Sequence, residues 1–378
     1  MRIAVLSETD PVETRVAATP DMVKKYKNLG ADVVVQAGAG NKASISDAEF
    51  ESAGASIAQN AQDAVKDADI VLKVRRPADG ELNGLKKGAL LIGILDPYGQ
   101  DAALKALADA GASAFAMELM PRITRAQVMD VLSSQANLAG YRAMVDAAEE
   151  YGKAVPMMMT AAGTVPAARI FVMGAGVAGL QAIATARRMG GIVTATDVRP
   201  AAKEQVESLG AKFIAVEDEE FKQAETAGGY AKEMSKEYQA KQAELVSSHI
   251  AKQDIVITTA LIPGRPAPKL ISRAMVESMK PGSVIVDLAV ERGGNCEGAK
   301  PGEVADHNGV KIVGHLNVPG RLPASASSLY ARNLYAFVET LVDKSTKQLA
   351  VKWDDELVKA TCLTRDGAIV HTAFQPKA

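Results

Sequence analysis

RIFVMGAGVAG, residues 169–179, is the stretch that decides the fold. Its apolar run Arg169–Met173 is typical of a buried strand, and Gly174, Gly176 and Gly179 follow with the spacing GxGxxG. In this pattern the first glycine permits a tight turn, the second lets the backbone approach a pyrophosphate, and the third packs a helix on the strand. The stretch therefore predicts a strand, a turn and a helix that bind a dinucleotide; a glycine-rich packing turn is the alternative.

The residues after this turn strengthen the prediction. A helix over Ala178–Met189 would aim free N–H groups and its dipole at the phosphates, so Val177 and Ala178 are predicted to contact the cofactor as well. Asp197 ends the next apolar run, 23 positions after Gly174, where a carboxylate accepts hydrogen bonds from the adenosine ribose. That carboxylate repels a 2′-phosphate and favours NAD over NADP, although an arginine such as Arg199 can accept this phosphate.

Short apolar runs alternate with helical patterns on both sides of the turn. The predicted strands are Arg2–Leu6, Asp32–Gln36, Ile70–Val74, Ala89–Leu95, Ala112–Met117, Arg169–Met173, Ile192–Thr196, Lys212–Val216, Asp254–Thr258, Ser283–Asp287 and Val310–Gly314. Such βαβ alternation predicts parallel sheets, and a long helix over Gln135–Tyr151 separates the two series of strands. We therefore predict an α/β protein with two doubly wound Rossmann-like domains and a cleft between them.

Composition and charge exclude several classes of function. The 378 residues, 48% of them hydrophobic, are enough for two or three domains with cores of their own. With 43 Lys and Arg against 45 Asp and Glu, the net charge of −2 offers no electrostatic basis for binding nucleic acid. Cys296 and Cys362 are far apart and form no CxxC pair, so neither a metal site nor a disulfide framework is expected.

Polar side chains gather between the two series of strands, where a cleft would form. The stretch MPRITRAQVMD, residues 120–130, continues to Ser133. On a helical stretch Gln127 and Asp130, three residues apart, share a face. Arginine, glutamine, aspartate and serine together could hold a carboxamide and a ribose. Helix capping and solvated polar residues at a domain junction explain the same pattern equally well.

Three further stretches carry weaker predictions. The charged segment Glu217–Lys241 is either a mobile functional loop or a solvated helix. Asp366-Gly367, between alternating apolar and polar residues, indicates a two-residue hairpin. Met157-Met158-Met159 favours packing in a core or an interface over a ligand site.

Long stretches of the chain closely resemble one family, the NAD(H)-binding component (domain I) of proton-translocating NAD(P) transhydrogenase, which is related to alanine dehydrogenase. These stretches are ELMPRITRAQ (118–127), SSQANLAGYR (133–142), MMMTAAGTVP (157–166), AETAGGYAKEM (224–234) and TTALIPG (258–264). The resemblance covers essentially the whole chain and is far more specific than a GxGxxG turn.

The resemblance implies an architecture, a reaction and partners. A first domain of residues 1–135 and 323–378, completed by the returning final segment, would accompany an NAD-binding domain of residues 136–322. The reaction implied is direct, AB-specific hydride transfer between NADH and NADP+ held on a partner domain, coupled to proton translocation. Implied partners are a second copy of the chain and the membrane-spanning and NADP(H)-binding components. The implied location is peripheral, on the cytoplasmic side of the membrane.

The resemblance also implies roles for individual residues. Arg122, Gln127, Asp130 and Ser133 would surround the nicotinamide end, and a loop with Tyr230 would close over bound nucleotide. The other implied cofactor-binding residues are Arg125, Asp197, Val198, Arg199, Gly229, Gln242 and Leu261.

The related alanine dehydrogenases supply an alternative function. They share the Arg15 and Lys73 pattern of this chain, but they carry a histidine where it has Ile94-Leu-Asp-Pro97, and an aspartate where Glu291 stands. Reduction of a 2-oxo acid needs a proton donor, whereas hydride transfer between two nicotinamides needs only that both rings are held close together. The sequence therefore favours transhydrogenation over alanine dehydrogenation, and a NAD sensor without turnover is a third possibility.

Overall fold

Parallel strands joined by helices build most of the protein. The structure, a computed structural model, describes residues 1–222 and 234–375. The chain divides into a first unit of residues 1–135 and 319–378 and a second unit of residues 136–318. Each unit is organised around one sheet, of eight and seven strands respectively.

The N-terminal part of the first unit forms six parallel strands. Its elements are β1 (Arg2–Val5), α1 (Pro20–Asn28), β2 (Asp32–Gln36), α2 (Asp47–Ser52), β3 (Ser56–Ala58), α3 (Ala61–Val65), β4 (Ile70–Arg75), β5 (Leu90–Ile94), α4 (Asp101–Asp109) and β6 (Ser113–Ala116). The strand order is β3-β2-β1-β4-β5-β6, so the direction of the winding reverses between β1 and β4. Ile3 of β1 and Leu72 of β4 are fully buried, as strands covered on both faces require.

The second unit contains the sheet that carries the glycine-rich turn. Its elements are α5 (Val131–Tyr151, which starts in the first unit), β7 (Met158–Thr160), β8 (Gly163–Val165), β9 (Arg169–Met173), α6 (Val177–Arg188), β10 (Ile192–Thr196), α7 (Ala201–Ser208), β11 (Lys212–Phe213), α8 (Glu219–Lys222), α9 (Lys236–Ile250), β12 (Ile255–Thr258), α10 (Arg273–Ser278), β13 (Val284–Asp287), β14 (Val304–His307) and β15 (Val310–Val313). The order β11-β10-β9-β12-β13-β15-β14 reverses between β9 and β12, and the antiparallel β14 lies at one edge. The glycine-rich turn follows β9 at this reversal, which is where open α/β sheets bind ligands.

The C-terminal part returns to the first unit. Its elements are α11 (Pro323–Thr340), β16 (Val342–Asp343), β17 (Gln348–Leu349), α12 (Glu356–Thr361), β18 (Cys362–Arg365) and β19 (Ala368–Ile369). β18 joins the first sheet antiparallel to β6, and the Asp366-Gly367 turn links it to β19, which confirms the predicted hairpin. Leu334 and Phe337 of α11 are fully buried in the core of this unit. Across the described residues, no helix is both long and apolar enough to span a membrane.

Candidate functional site

The glycine-rich turn lies at the carboxyl end of β9. Gly174 has a φ of +103°, which side chains disfavour, and its N–H donates to the carbonyl oxygen of Thr196 at 2.8 Å. A Cβ on Gly179 would lie 1.8 Å from the carbonyl oxygen of Gly174, so only glycine allows this approach of α6. A Cβ on Gly176 would meet nothing within 4 Å. The first and third glycines therefore serve the fold, whereas Gly176 leaves open space for a ligand.

The first turn of α6 is held by a close crossing with α5. A Cβ on Gly140 of α5 would lie 2.0 Å from the carbonyl oxygen of Ala178, so the two helices touch through their backbones. Val177, at the start of α6, is 40% exposed. The N-terminal end of α6 is thus firmly placed while its first residue remains accessible, as a phosphate-binding helix end requires.

Asp197 connects the ends of β9 and β10. Its carboxylate accepts the N–H of Ala175 at 2.7 Å and the N–H of Arg199 at 2.9 Å. The Arg199 guanidinium also pairs with this carboxylate at 3.0 Å and donates to the carbonyl oxygen of Ala175 at 3.3 Å. Val198, between them, is 56% exposed. The structure therefore brings the predicted ribose-binding carboxylate and Arg199 together beside the glycine-rich turn.

Two other predicted residues lie near the same strand ends. Gln242 of α9 accepts the N–H of Val216 at 2.9 Å and donates to Oγ1 of Thr196 at 3.2 Å, directly before Asp197. Leu261, in the loop after β12, is 53% exposed. Gln242 thus has a structural partner on each side, and its contact with a cofactor stays a prediction.

The charged segment 217–241 falls partly within the described residues. It contains α8 and the start of α9, so part of it is helical, as one of the two interpretations predicts. Gly229 and Tyr230, the residues predicted to close over bound nucleotide, lie outside the described residues. Their roles stay predictions.

The residues predicted to surround the nicotinamide lie at the start of α5. Asp130 precedes the helix and accepts the N–H of Ser133 at 2.9 Å and its hydroxyl at 2.5 Å. Gln127, on the 3₁₀ helix Thr124–Met129, is exposed, and so is Arg122. Capping therefore accounts for the Asp130–Ser133 pair, while capping gives no reason for the exposed Gln127. A role in orienting a nicotinamide stays a prediction for all four.

Arg125 has partners elsewhere in the first unit. Its guanidinium pairs with Asp355 at 2.8 Å and with Glu356 at 3.0 Å, at the start of α12. These ion pairs are solvent-exposed and contribute little to stability. They tie the 3₁₀ helix to the C-terminal segment, and contact between Arg125 and a cofactor stays a prediction.

Arg15 and Lys73 are buried in ion pairs. Arg15 donates two hydrogen bonds from its guanidinium to Glu13, each of 2.7 Å, and one of 2.8 Å to Gln135. Lys73, at the end of β4, donates to Glu81 at 3.0 Å. Both cations therefore bind carboxylates of the same chain, at the strand ends where an alanine dehydrogenase would need them for a substrate carboxylate. Burial raises the pKa of the neighbouring Glu8 to about 7.

Replacing Glu13 by glutamine should expose the energetic weight of this network. Burial opposes ionisation of Glu13, but hydrogen bonds and charge from Arg15, with the charge of Arg75, lower its pKa to about 2. At pH 7 the variant should lose about 3 kcal/mol of unfolding free energy, because a buried guanidinium is left without its carboxylate.

The pH dependence of that loss follows from the lowered pKa. The ionised Glu13 stabilises the fold fully above pH 4.5, the unfolded-state value, and this stabilisation is lost as the pH falls towards 2. In denaturant titrations the difference between wild type and Glu13→Gln should narrow below about pH 4.5. A difference that stays constant from about pH 3 to pH 7 would contradict the assignment.

The turn after β5 is built around another buried carboxylate. Glu118 accepts the N–H groups of Leu95 and Asp96, at 2.9 and 2.5 Å, and burial raises its pKa to about 7. Asp96 has a φ of +46°. The stretch that lacks the dehydrogenase histidine is therefore an ordered turn whose backbone N–H groups are taken by a glutamate.

Comparison with known proteins places the whole chain. The model of the N-terminal domain "Alanine dehydrogenase/PNT" matches residues 4–139, and that of the C-terminal domain matches residues 143–372. The chain belongs to the alanine dehydrogenase/PNT family. This confirms the family resemblance of the sequence and places the chain among dehydrogenases and transhydrogenases, which are oxidoreductases.

Relatives on both sides of the alanine dehydrogenase/PNT family match nearly the full length. The chain is 58% identical over 379 residues to the first of the separate chains of NAD(P) transhydrogenase subunit alpha of Rhodospirillum rubrum, covering 99% of each. It is 30% identical over 378 residues to alanine dehydrogenase of Mycobacterium tuberculosis, covering 98% of this chain and 95% of the relative. The crystal structure of transhydrogenase from Sinorhizobium meliloti matches with a TM-score of 0.90 and 64% identity, covering 98% of this chain and 100% of that one. The predicted α/β fold with two Rossmann-like domains is confirmed.

Proposed function

We propose that this chain is the NAD(H)-binding subunit of a proton-translocating transhydrogenase. The glycine-rich turn linked to Asp197 carries the proposal, since it offers a ribose-binding carboxylate and an open approach at Gly176. The full-length similarity to a named transhydrogenase subunit supplies the reaction. Hydride would pass directly between NADH on this chain and NADP+ on a partner domain, with AB stereospecificity, and a membrane component would couple the transfer to proton translocation.

NAD(H) is favoured over NADP(H) by the geometry around Asp197. Arg199 is paired with the Asp197 carboxylate, and that carboxylate stands where a 2′-phosphate would otherwise be placed. An adenosine ribose with a free 2′-hydroxyl can donate to the carboxylate, whereas a phosphate would be repelled. NADP(H) is therefore assigned to the partner domain.

The first unit would orient the nicotinamide rather than supply acid or base. Direct hydride transfer requires two rings about 3–3.5 Å apart in the correct orientation, with no proton exchanged at a side chain. Arg122, Gln127, Asp130 and Ser133 offer donors and acceptors for the carboxamide and the ribose. Asp130 is held by Ser133, which supplies a rigid acceptor at the start of α5.

An exposed apolar surface beside these residues supports docking of the partner domain. Val128 and Leu132, on either side of Asp130, are 64% and 50% exposed. A partner that brings its own nicotinamide to this face would cover both side chains. With the membrane-spanning component, this places the chain peripherally, on the cytoplasmic side of the membrane.

The hairpin β7–β8 supports a homodimer. Met157, Met158 and Met159 are 59%, 44% and 77% exposed, so the interpretation as core of this chain is wrong, and that as an interface remains. Flexible methionine side chains in a two-stranded hairpin can adapt to a second copy of the chain.

Reconstitution tests the proposed function. The purified chain is mixed with NADH and a separately purified transhydrogenase NADP(H)-binding domain loaded with the acetylpyridine analogue of NADP+, whose reduced form has a distinct absorbance. We expect hydride transfer only when both proteins are present, without the membrane component. Omission of either protein is the control, and a rate no higher than these controls would overturn the proposal.

Alanine dehydrogenation is the second candidate, favoured by Arg15 and Lys73 and by the relative from Mycobacterium tuberculosis. We expect no NADH oxidation above background with pyruvate and ammonia, because both cations are paired internally and Ile94–Pro97 holds no histidine. A spectrophotometric assay of the purified chain decides this, with an authentic alanine dehydrogenase as positive control. Robust alanine formation would favour the second candidate.

A further inference from the structure

One buried amide holds both ends of the loop that follows β12. Asn295 is fully buried, and its Oδ1 accepts the N–H of Ala260 at 3.0 Å. Its Nδ2 donates to the carbonyl oxygens of Ala260 and Pro268, each at 2.8 Å. A single side chain therefore determines where residues 260–268 leave the sheet and where they return.

This loop starts at the point where the strand order of the second sheet reverses. β12 lies beside β9, and Oγ1 of Thr259 donates to the carbonyl oxygen of Gly174 at 3.1 Å. The loop thus begins against the first glycine of the turn. Leu261 and Ile262, which follow Ala260, are 53% and 45% exposed.

The side of the sheet on which the loop lies indicates what it faces. Asp197 marks the adenosine half, because it ends β10 on one side of β9. β12 lies on the other side of β9, and in doubly wound folds that side receives the second mononucleotide. The loop after β12 would therefore face the nicotinamide half of the dinucleotide.

An amide is well suited to the position of Asn295. One side of it accepts from an N–H and the other donates to two carbonyl oxygens, so a carboxylate of the same shape would face those two oxygens with negative charge. The backbone carbonyl of Asn295 also accepts the N–H groups of Leu270 and Ile271, at 2.8 and 3.1 Å, which anchors the amide itself.

We propose that Asn295 is a positioning residue for the nicotinamide half of NAD(H), acting through the backbone of Ala260 and Leu261. The inference rests on the proposed function, because it takes NAD(H) as the ligand of the second unit. It adds a residue that touches no ligand itself and determines the conformation of a loop that does.

Asn295→Asp tests this inference by comparing NADH with ADP. ADP shares the adenosine and the pyrophosphate with NADH and lacks the nicotinamide half. Isothermal titration calorimetry should show the Kd of NADH raised about tenfold, and the Kd of ADP changed less than about twofold. Asn295→Ser, which retains a hydroxyl, should give a smaller shift in the same direction if the aspartate variant folds poorly.

Ser283→Ala provides a matched control. Ser283 is also buried in the second unit, and its hydroxyl donates to the carbonyl oxygen of Gln253 at the start of β13, away from the glycine-rich turn. This variant should lower the melting temperature and leave the ratio of the two Kd values unchanged. Equal changes for NADH and ADP in the Asn295 variants, or none, would overturn the inference. Failure of the wild type to bind either ligand would instead overturn the proposed function.

Discussion

Gly176→Ala is expected to abolish tight NADH binding while leaving the fold intact. A Cβ at this position meets no protein atom within 4 Å, so the variant should melt at the wild-type temperature. The same Cβ would occupy the space that the pyrophosphate needs to approach the backbone. We expect the Kd of NADH, measured by its fluorescence on binding, to rise about a hundredfold or more.

Gly179→Ala separates this effect from damage to the fold. Its Cβ would lie 1.8 Å from the carbonyl oxygen of Gly174, so the turn and α6 must move apart. This variant should lose thermal stability as well as NADH affinity. Wild-type NADH affinity in Gly176→Ala would remove the glycine-rich turn from the proposed site.

Gln127→Asn is expected to slow hydride transfer about a hundredfold, because a small displacement of the nicotinamide has a large effect on the rate. The affinity for NADH should change much less, since phosphate and adenosine contacts in the second unit supply most of it. Stopped-flow measurement of hydride transfer to an NADP+ analogue on the partner domain gives the rate. An unchanged rate would remove Gln127 from the site.

Two controls accompany this measurement. Gln62→Asn makes the same change at an exposed position of α3 and should transfer hydride at the wild-type rate. The wild-type hydride step should be nearly independent of pH from about 6 to 9, since no side chain gives or takes a proton. A bell-shaped profile would show that a titrating residue takes part.

The long apolar strands were predictable from sequence, and the deviations have local causes. α5 begins at Val131 rather than Gln135 because Asp130 caps it there. The predicted strand Lys212–Val216 ends at Phe213, since the N–H of Val216 is bound by Gln242 instead of by a neighbouring strand. The short elements α2, β3 and α3 were not predicted, because pieces of three to six residues carry too little periodicity.

The site was predictable where its residues are close in sequence. The glycine-rich turn and Asp197 follow consecutive strands, and their spacing alone indicates that they meet. Thr259 and Asn295 were missed because their contacts depend on which strands are neighbours in the sheet. The signal available for Thr259 was its position directly after a strand, where polar residues collect beside a ligand; Asn295 offered none before its loop was placed.

The return of the C-terminal segment bears on the order in which the protein is made. The second unit is one uninterrupted stretch, whereas the first unit needs α11 and β18, which leave the ribosome last. Domains that emerge complete fold first during synthesis. The sheet with the glycine-rich turn can therefore form while strands β1 to β6 still wait for their last partners, and the newly made N-terminal strands are exposed to chaperones and to mispairing during that interval.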